Sequence, residues 1–133
     1  MTPLFADTSF YAAVLGPRDG WHEKAMQVSI ANKRPILTTE FVIVELANLF
    51  SRVADRAAFV EFVRYIRAHP NTAIVPVSSE LVRRGFDLFT KRPDKEWSLT
   101  DCISFVVMKE HGITDALTSD GDFVQAGFTA LLL

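Results

Sequence analysis

The chain reads as an α/β protein, a three-layer α/β/α domain with a mostly parallel central sheet. Three observations predict this. Short apolar runs alternate with longer stretches of helical spacing along the sequence, which is the pattern of strands joined by crossover helices. The first run, Pro3-Leu4-Phe5-Ala6, reads as a short buried strand ending in a carboxylate, Asp7, where a helix begins. Repeats, linkers and low-complexity segments are absent, and 133 residues at 49% hydrophobic and 23% charged suit one globular domain spanning residues 1–133.

The elements follow in order. After Asp7-Thr8-Ser9, which contains good N-cap residues, a helix runs to Leu15 and breaks at Gly16-Pro17. A second helix is expected over 21–31, then a polar loop, a short strand over 36–38, and a helix over 40–53 capped by Thr38 or Thr39. That helix is strongly apolar, yet it contains Glu45 between Val44 and Leu46, on one face with Phe41, Asn48 and Arg52. A carboxylate there is costly without a partner, and a salt bridge to Arg52 is its bland explanation. Asp55 opens an amphipathic helix that ends at His69-Pro70-Asn71. The run 73–77 is a strand that Pro76 confines to an edge or stops at Val75. Ser78 or Ser79 caps a helix through Thr90, and 91–96 is a charged loop. Ser98-Leu99-Thr100-Asp101 is capping-box-like and opens a helix over 102–110, closed by His111-Gly112. A strand over 116–118 leads into a turn, Ser119-Asp120-Gly121-Asp122, and 128–133 is a last strand.

Composition narrows the setting. No apolar run reaches the ~18 residues of a membrane helix, and the N-terminus lacks the basic and apolar regions of a signal peptide. The single cysteine, Cys102, excludes an internal disulfide, sits in an apolar run as a buried structural residue, and fits a reducing compartment, so the cytoplasm is expected. Net charge is −2, which alone argues against a nucleic-acid partner; divalent cations held by converging acids would reverse it.

Four acids occupy unusual places. Asp7 ends the first strand, Glu45 lies inside an apolar helix, Asp101 opens a helix and Asp120 follows a strand. Singly, each has a structural explanation as a cap or turn former. Together, in a parallel sheet, the ends of the first and fourth strands share one edge, and the Asp101 helix start can reach it. At an effective dielectric near 20, two carboxylates about 4 Å apart repel by roughly 4 kcal/mol, so a converged set requires a cation. Without a Cys/His cluster to favour zinc, hard ions such as Mg²⁺ or Mn²⁺ are the natural partners, and carboxylates with such ions suit phosphodiester hydrolysis.

Over nearly its whole length the sequence resembles the PIN-domain ribonucleases, in particular the VapC-type toxins of toxin–antitoxin pairs. The resemblance rests on Asp7-Thr8-Ser9, Glu45-Leu46-Ala47-Asn48, 97–105 and 117–123, with the four acids in order. It implies a Mg²⁺- or Mn²⁺-dependent endoribonuclease with Asp7, Glu45, Asp101 and Asp120 lining the site as catalytic and metal-binding residues. Glu45 fits the internal-acid motif better than Glu40. Thr8, Ser9 and Thr118 are supporting hydroxyls, and Asp122 is an auxiliary acid. Arg83, Arg84, Lys91, Arg92 and Lys95 are the candidates for RNA contact, with Trp97 as a base-stacking residue or, alternatively, a core residue. The resemblance also implies a homodimer and a cognate antitoxin whose C-terminal segment docks on the hairpin formed by 41–53 and 55–68.

Two other functions fit parts of the pattern. Aspartyl-nucleophile phosphatases also begin with a strand-end Asp, but they place a second Asp where this chain has Ser9. A nucleic-acid- or protein-binding module with a vestigial site would not need all four acids.

Overall fold

The computed structural model describes residues 1–133. In chain order the elements are β1 (Leu4–Ala6), α1 (Thr8–Leu15), α2 (His22–Ala31), β2 (Ile36–Thr39), α3 (Glu40–Leu49) and α4 (Val53–Ala68). They continue with β3 (Thr72–Val75), α5 (Ser79–Lys91), α6 (Leu99–Glu110), β4 (Asp115–Leu117), α7 (Gly121–Gln125) and β5 (Thr129–Ala130). The sheet order is β3-β2-β1-β4-β5 and every pairing is parallel. The sheet is therefore fully parallel, within the expected α/β/α architecture.

β1 is the central strand, and Leu4, Phe5 and Ala6 are all buried. Chain order steps outward from β1 through β2 to β3, then returns to the other side of β1 at β4. The switch point of the topology thus lies between β1 and β4, where an open parallel sheet forms its ligand crevice. The register pairs Ala6 with Leu117, so Asp7 and Thr118 leave the sheet side by side. Right-handed crossovers send α1–α4 over one face and α5–α7 over the other. In agreement, α1 packs on α2 and α4, and α6 packs on α5 and α7. Phe5, Leu46, Met108, Leu117 and Phe123 fill the fully buried centre.

Capping chemistry defines where the helices begin. Thr39 accepts from the Val42 N–H and Ser78 from the Leu81 N–H, which settles both alternatives left open by the sequence. Between α5 and α6 the backbones approach closely. A Cβ on Gly85 would lie 2.4 Å from Ile103 Cγ1 and 3.2 Å from the Ile103 backbone, so only glycine fits without movement.

Several boundaries differ from those expected. The helix over 40–53 stops at Leu49, where Ser51 Oγ donates to the Asn48 carbonyl at 3.2 Å, and α4 begins at Val53 rather than Asp55. α6 starts at Leu99, three residues earlier than expected, because Ser98 is its N-cap. The turn at 119–122 is instead the start of a short helix, α7. The last strand comprises only Thr129–Ala130, since Gly127 turns the chain at φ 97 just before it. β3 is an edge strand ending at Val75, as Pro76 requires. Cys102 is buried with a free thiol, as expected. No helix is long and apolar enough to cross a membrane.

Candidate active site

Asp7 is only 3% exposed at the carboxyl end of β1, and its backbone N–H donates to the Leu117 carbonyl at 3.1 Å. Two hydroxyls hold its carboxylate. Ser9 Oγ donates to Asp7 Oδ2 at 2.9 Å and Thr118 Oγ1 donates to the same oxygen at 2.8 Å. Each hydroxyl in turn accepts a backbone N–H, Ser119 onto Ser9 at 3.1 Å and Asp120 onto Thr118 at 3.0 Å. Each hydroxyl can therefore donate to Asp7 while accepting from the backbone, and the two hydroxyl oxygens lie 2.9 Å apart. Burial pushes the Asp7 carboxyl up to about 6, opposed by the hydroxyl bonds and raised further by the charge of Asp120.

Asp101 serves two ends at once. It is N3 of α6 in a complete capping box, its N–H donating to Ser98 Oγ at 3.0 Å and its Oδ2 accepting the Ser98 N–H at 3.2 Å. It also sits in the field of Asp7 and Asp120. Burial is the largest cause that drives its carboxyl up to about 7, with the Asp7 charge next. Asp120 is the half-buried N-cap of α7 and accepts the Asp122 N–H on Oδ1 at 2.9 Å. Asp101, Asp120 and Asp122 offer carboxylate oxygens that lie within 4.8 Å of one another. Asp122 is itself raised by partial burial and the Asp120 charge. None of these four acids has a cationic partner in an ion pair.

The donor set answers which cation would suit the cluster. It is all carboxylate oxygen with flanking hydroxyls and no thiolate or imidazole, which fits a hard divalent ion such as Mg²⁺ or Mn²⁺. Asp122, expected only as an auxiliary acid, belongs to this tight trio. The spacing Asp120-Gly121-Asp122 reads as a turn, whereas in the fold the Asp120 cap bond brings the two carboxylates together.

Glu45 is half-buried on α3, a helix that packs on both α1 and α6. It forms no ion pair, and Arg52 lies beyond the end of α3, so the salt bridge that would have explained it is missing. It stands outside the tight trio. Glu40, the acid passed over, is engaged elsewhere: Oε1 accepts the Val77 N–H at 2.8 Å and Oε2 lies 3.6 Å from Arg67. Two buried hydroxyls, Thr8 Oγ1 beside Asp7 and Ser104 Oγ one turn after Asp101, have no hydrogen-bond partner. Ser104 was not singled out from the sequence, where it reads as one small residue in an apolar helix.

The candidate RNA contacts are unevenly available. Arg83 pairs with Glu80, Arg84 with Glu110, and Arg92 with Asp94 at 2.9 Å. Lys91 and Lys95 form no ion pair. Trp97 is a core residue, 6% exposed, edge-on to Phe105 at 5.1 Å, with Arg92 and Lys95 over its ring at 5.3 and 6.0 Å. Open base stacking on its face is therefore blocked.

Comparison with known proteins agrees with this architecture. The PIN domain family matches residues 4–129. The 23S rRNA-specific endonuclease VapC20 of Mycobacterium tuberculosis is 30% identical over 125 residues, covering 94% of this chain and 95% of that protein. The crystal structure of M. tuberculosis VapC20, described as a sarcin–ricin loop cleaving toxin, superposes with a TM-score of 0.87 over 95% of this chain and 96% of that one. FitAcB from Neisseria gonorrhoeae shares the fold, with a TM-score of 0.66 at 16% identity over 96% of this chain and 94% of that one. The family match over residues 4–129 and the 30% identity to VapC20 across nearly the whole chain place the chain in the PIN-domain family.

Proposed function

We propose that this protein is a metal-dependent endoribonuclease, the toxin of a toxin–antitoxin pair, cutting ribosomal RNA at a site akin to that of its VapC20 relative. The observation that carries the reading is the convergence of Asp101, Asp120 and Asp122 within 4.8 Å, with buried Asp7 in the same electrostatic field and no cation paired to any of them. Asp7, Glu45, Asp101 and Asp120 are the catalytic and metal-holding residues, Asp122 completes the set, and the ion is Mg²⁺ or Mn²⁺. Bound there, such an ion supplies acidity to a water and positive charge to the phosphodiester.

The chain's own residues do the positioning. Ser9 and Thr118 hold the Asp7 carboxylate in one orientation through 2.9 and 2.8 Å hydrogen bonds. The Ser98 cap holds Asp101 at the first turn of α6. Exposed apolar residues support two protein partners: Val44, Leu49 and Val53 on and between α3 and α4 for the antitoxin, and Val82, Phe86 and Phe89 on α5 for a homodimer.

The test is incubation of purified protein with total cellular RNA and with a 23S sarcin–ricin stem-loop, in Mg²⁺, Mn²⁺ and EDTA, beside Asp7→Asn. Discrete fragments that require metal and disappear in the variant are expected, and end-mapping identifies the cut. Metal-independent cleavage, or an Asp7→Asn protein as fast as wild type, rejects the reading.

A further inference from the structure

Behind the acids, α5, α6 and α7 enclose an open-mouthed cavity of about 400 Å³, a size within the ~300–1,000 Å³ range of ligand pockets. Its floor is apolar and aromatic, with Leu88, Phe105 and Phe128. Lys91, Arg92 and Lys109 also line it, and no acid does. Lys91 and Lys109 are exposed and form no ion pair, so two lysine charges remain uncommitted in a protein whose net charge is −2. Such a lining favours a polyanion carrying flat apolar groups.

One polar side chain at the mouth is already oriented. The Trp97 indole N–H donates to Gln125 Oε1 at 3.2 Å, and because an indole can only donate, it fixes which end of the amide faces it. Gln125 Nε2 then points away from Trp97 with no hydrogen bond inside the protein, offering two donors from an exposed residue. Gln125 ends the short helix that Asp120 begins, and its five residues rise ~7.5 Å. The cavity mouth therefore lies a short stretch of strand away from the acids.

The geometry points to this cavity as a subsite for one base of the RNA flanking the cleaved bond. Lys91 and Lys109 hold the backbone, and the Gln125 amide, braced by Trp97, reads an acceptor on the base edge. The inference rests on the nuclease reading and adds the residues that would set its sequence preference. A donor-only reader favours bases that present ring or carbonyl acceptors at that edge. Trp97 is a positioning residue here and touches no base.

The experiment measures binding apart from cutting. Full-length Asp7→Asn protein in Mg²⁺ is titrated against a fluorescent 23S sarcin–ricin stem-loop across a salt series, and then against stem-loops substituted at each base beside the cut. Lys109→Ala is expected to weaken binding and to lower the salt slope by about 1. Gln125→Leu should weaken binding roughly fivefold to tenfold and flatten the preference among flanking bases. Gln125→Glu keeps the acceptor for Trp97 but puts a negative charge at the mouth, so it should weaken binding further while melting like its parent. Lys33→Ala removes one charge at the opposite end of the sheet and should bind as the parent does. If the Lys109 and Gln125 variants bind with unchanged affinity, salt slope and base preference, the subsite is overturned while metal-dependent cleavage by wild type still stands. If the RNA binds and these variants weaken it, yet wild type cuts in no metal, the cavity binds RNA but the nuclease reading falls, and with it the cavity's place beside a cleaved bond. Failure of the parent to bind the stem-loop or any of its base variants overturns the subsite, while cleavage of total RNA by wild type decides the nuclease reading separately.

Discussion

The two ends of the sheet treat their acids in opposite ways. At the amino end, Asp115 opens β4 and receives Arg34 Nη1 at 2.9 Å, while Arg34 Nε also donates to the Thr2 carbonyl at 2.8 Å. That acid has a dedicated cation, and the pair ties the start of β4 to the segment before β2. At the carboxyl end, Asp7, Asp101, Asp120 and Asp122 gather without any cation, and burial with mutual repulsion pushes Asp7 and Asp101 up to about 6 and 7. The first arrangement stabilises the fold. The second strains it, and such strain persists in proteins where function requires it. The two ends of the sheet thus differ in whether the fold supplies a counter-charge to their buried or half-buried acids.

Substitutions can break this contrast. The largest effect is expected from Asp7→Asn. Cleavage should fall roughly 100-fold or more, since metal-site partners one step further out already cost 10–100-fold. The same change should raise the melting temperature in EDTA, because it removes a buried carboxylate from a repelling cluster. A variant that loses both cleavage and metal-free stability would make Asp7 a structural acid after all. Next, Ser9→Ala removes one donor to Asp7 and should cost about 10-fold in cleavage, read as kcat on the stem-loop. An unchanged kcat would show that Thr118 alone holds the carboxylate.

The pH dependence sharpens the comparison further. Asp7 and Asp101 are raised above their unfolded values, so the folded protein binds more protons between about pH 4 and pH 7. Metal-free stability should therefore fall as pH rises through 6 and 7, by on the order of 1.4 kcal/mol per unit of raised pKa. Added Mg²⁺ should recover it, more at pH 8 than at pH 5. Melting curves in EDTA and in Mg²⁺ at the two pH values decide this, and a metal-free protein that is more stable at pH 8 contradicts it. Among stability changes outside the site, Gly85→Ala should cost about 1–3 kcal/mol by crowding Ile103, measured by urea unfolding. The smallest effect belongs to Asp115→Asn, about 1 kcal/mol or less for a partly exposed pair, with cleavage unchanged.

Much of this organisation was legible in the sequence. Apolar runs mark all five strands, and the acids stand out as a set, because each alone also reads as a cap or turn former. The Ser98–Asp101 spacing announced its capping box. What escaped was set by contacts between distant residues. Ser9 and Thr118, each expected as a supporting hydroxyl, lie 109 residues apart, and only the fold shows their oxygens 2.9 Å from each other. α7 is too short for periodicity to distinguish from a turn, so Asp122 was ranked below its place in the cluster. No Gly or Pro marks the end of α3 at Leu49, so Arg52 reads in the sequence as sharing a helix face with Glu45, while in the fold it lies beyond the helix. Trp97, a plausible stacking platform in a basic loop, is buried because Phe105 and Gln125 claim its edge and its N–H.

The bond between Asp7 and Thr118 spans 111 residues. It sets when the carboxylate cluster can form during synthesis. β1 can pair with β2 early, but its other edge waits for β4, and long-range parallel pairing forms slowly. Until α6 and β4 have been made and docked, Asp7 has no hydroxyl from Thr118 and no neighbouring Asp101 or Asp120. A chain still on the ribosome, with β4 not yet translated, lacks Thr118, Asp120 and Asp122. The order of the strands thus delays the carboxylate cluster until almost all of the chain exists.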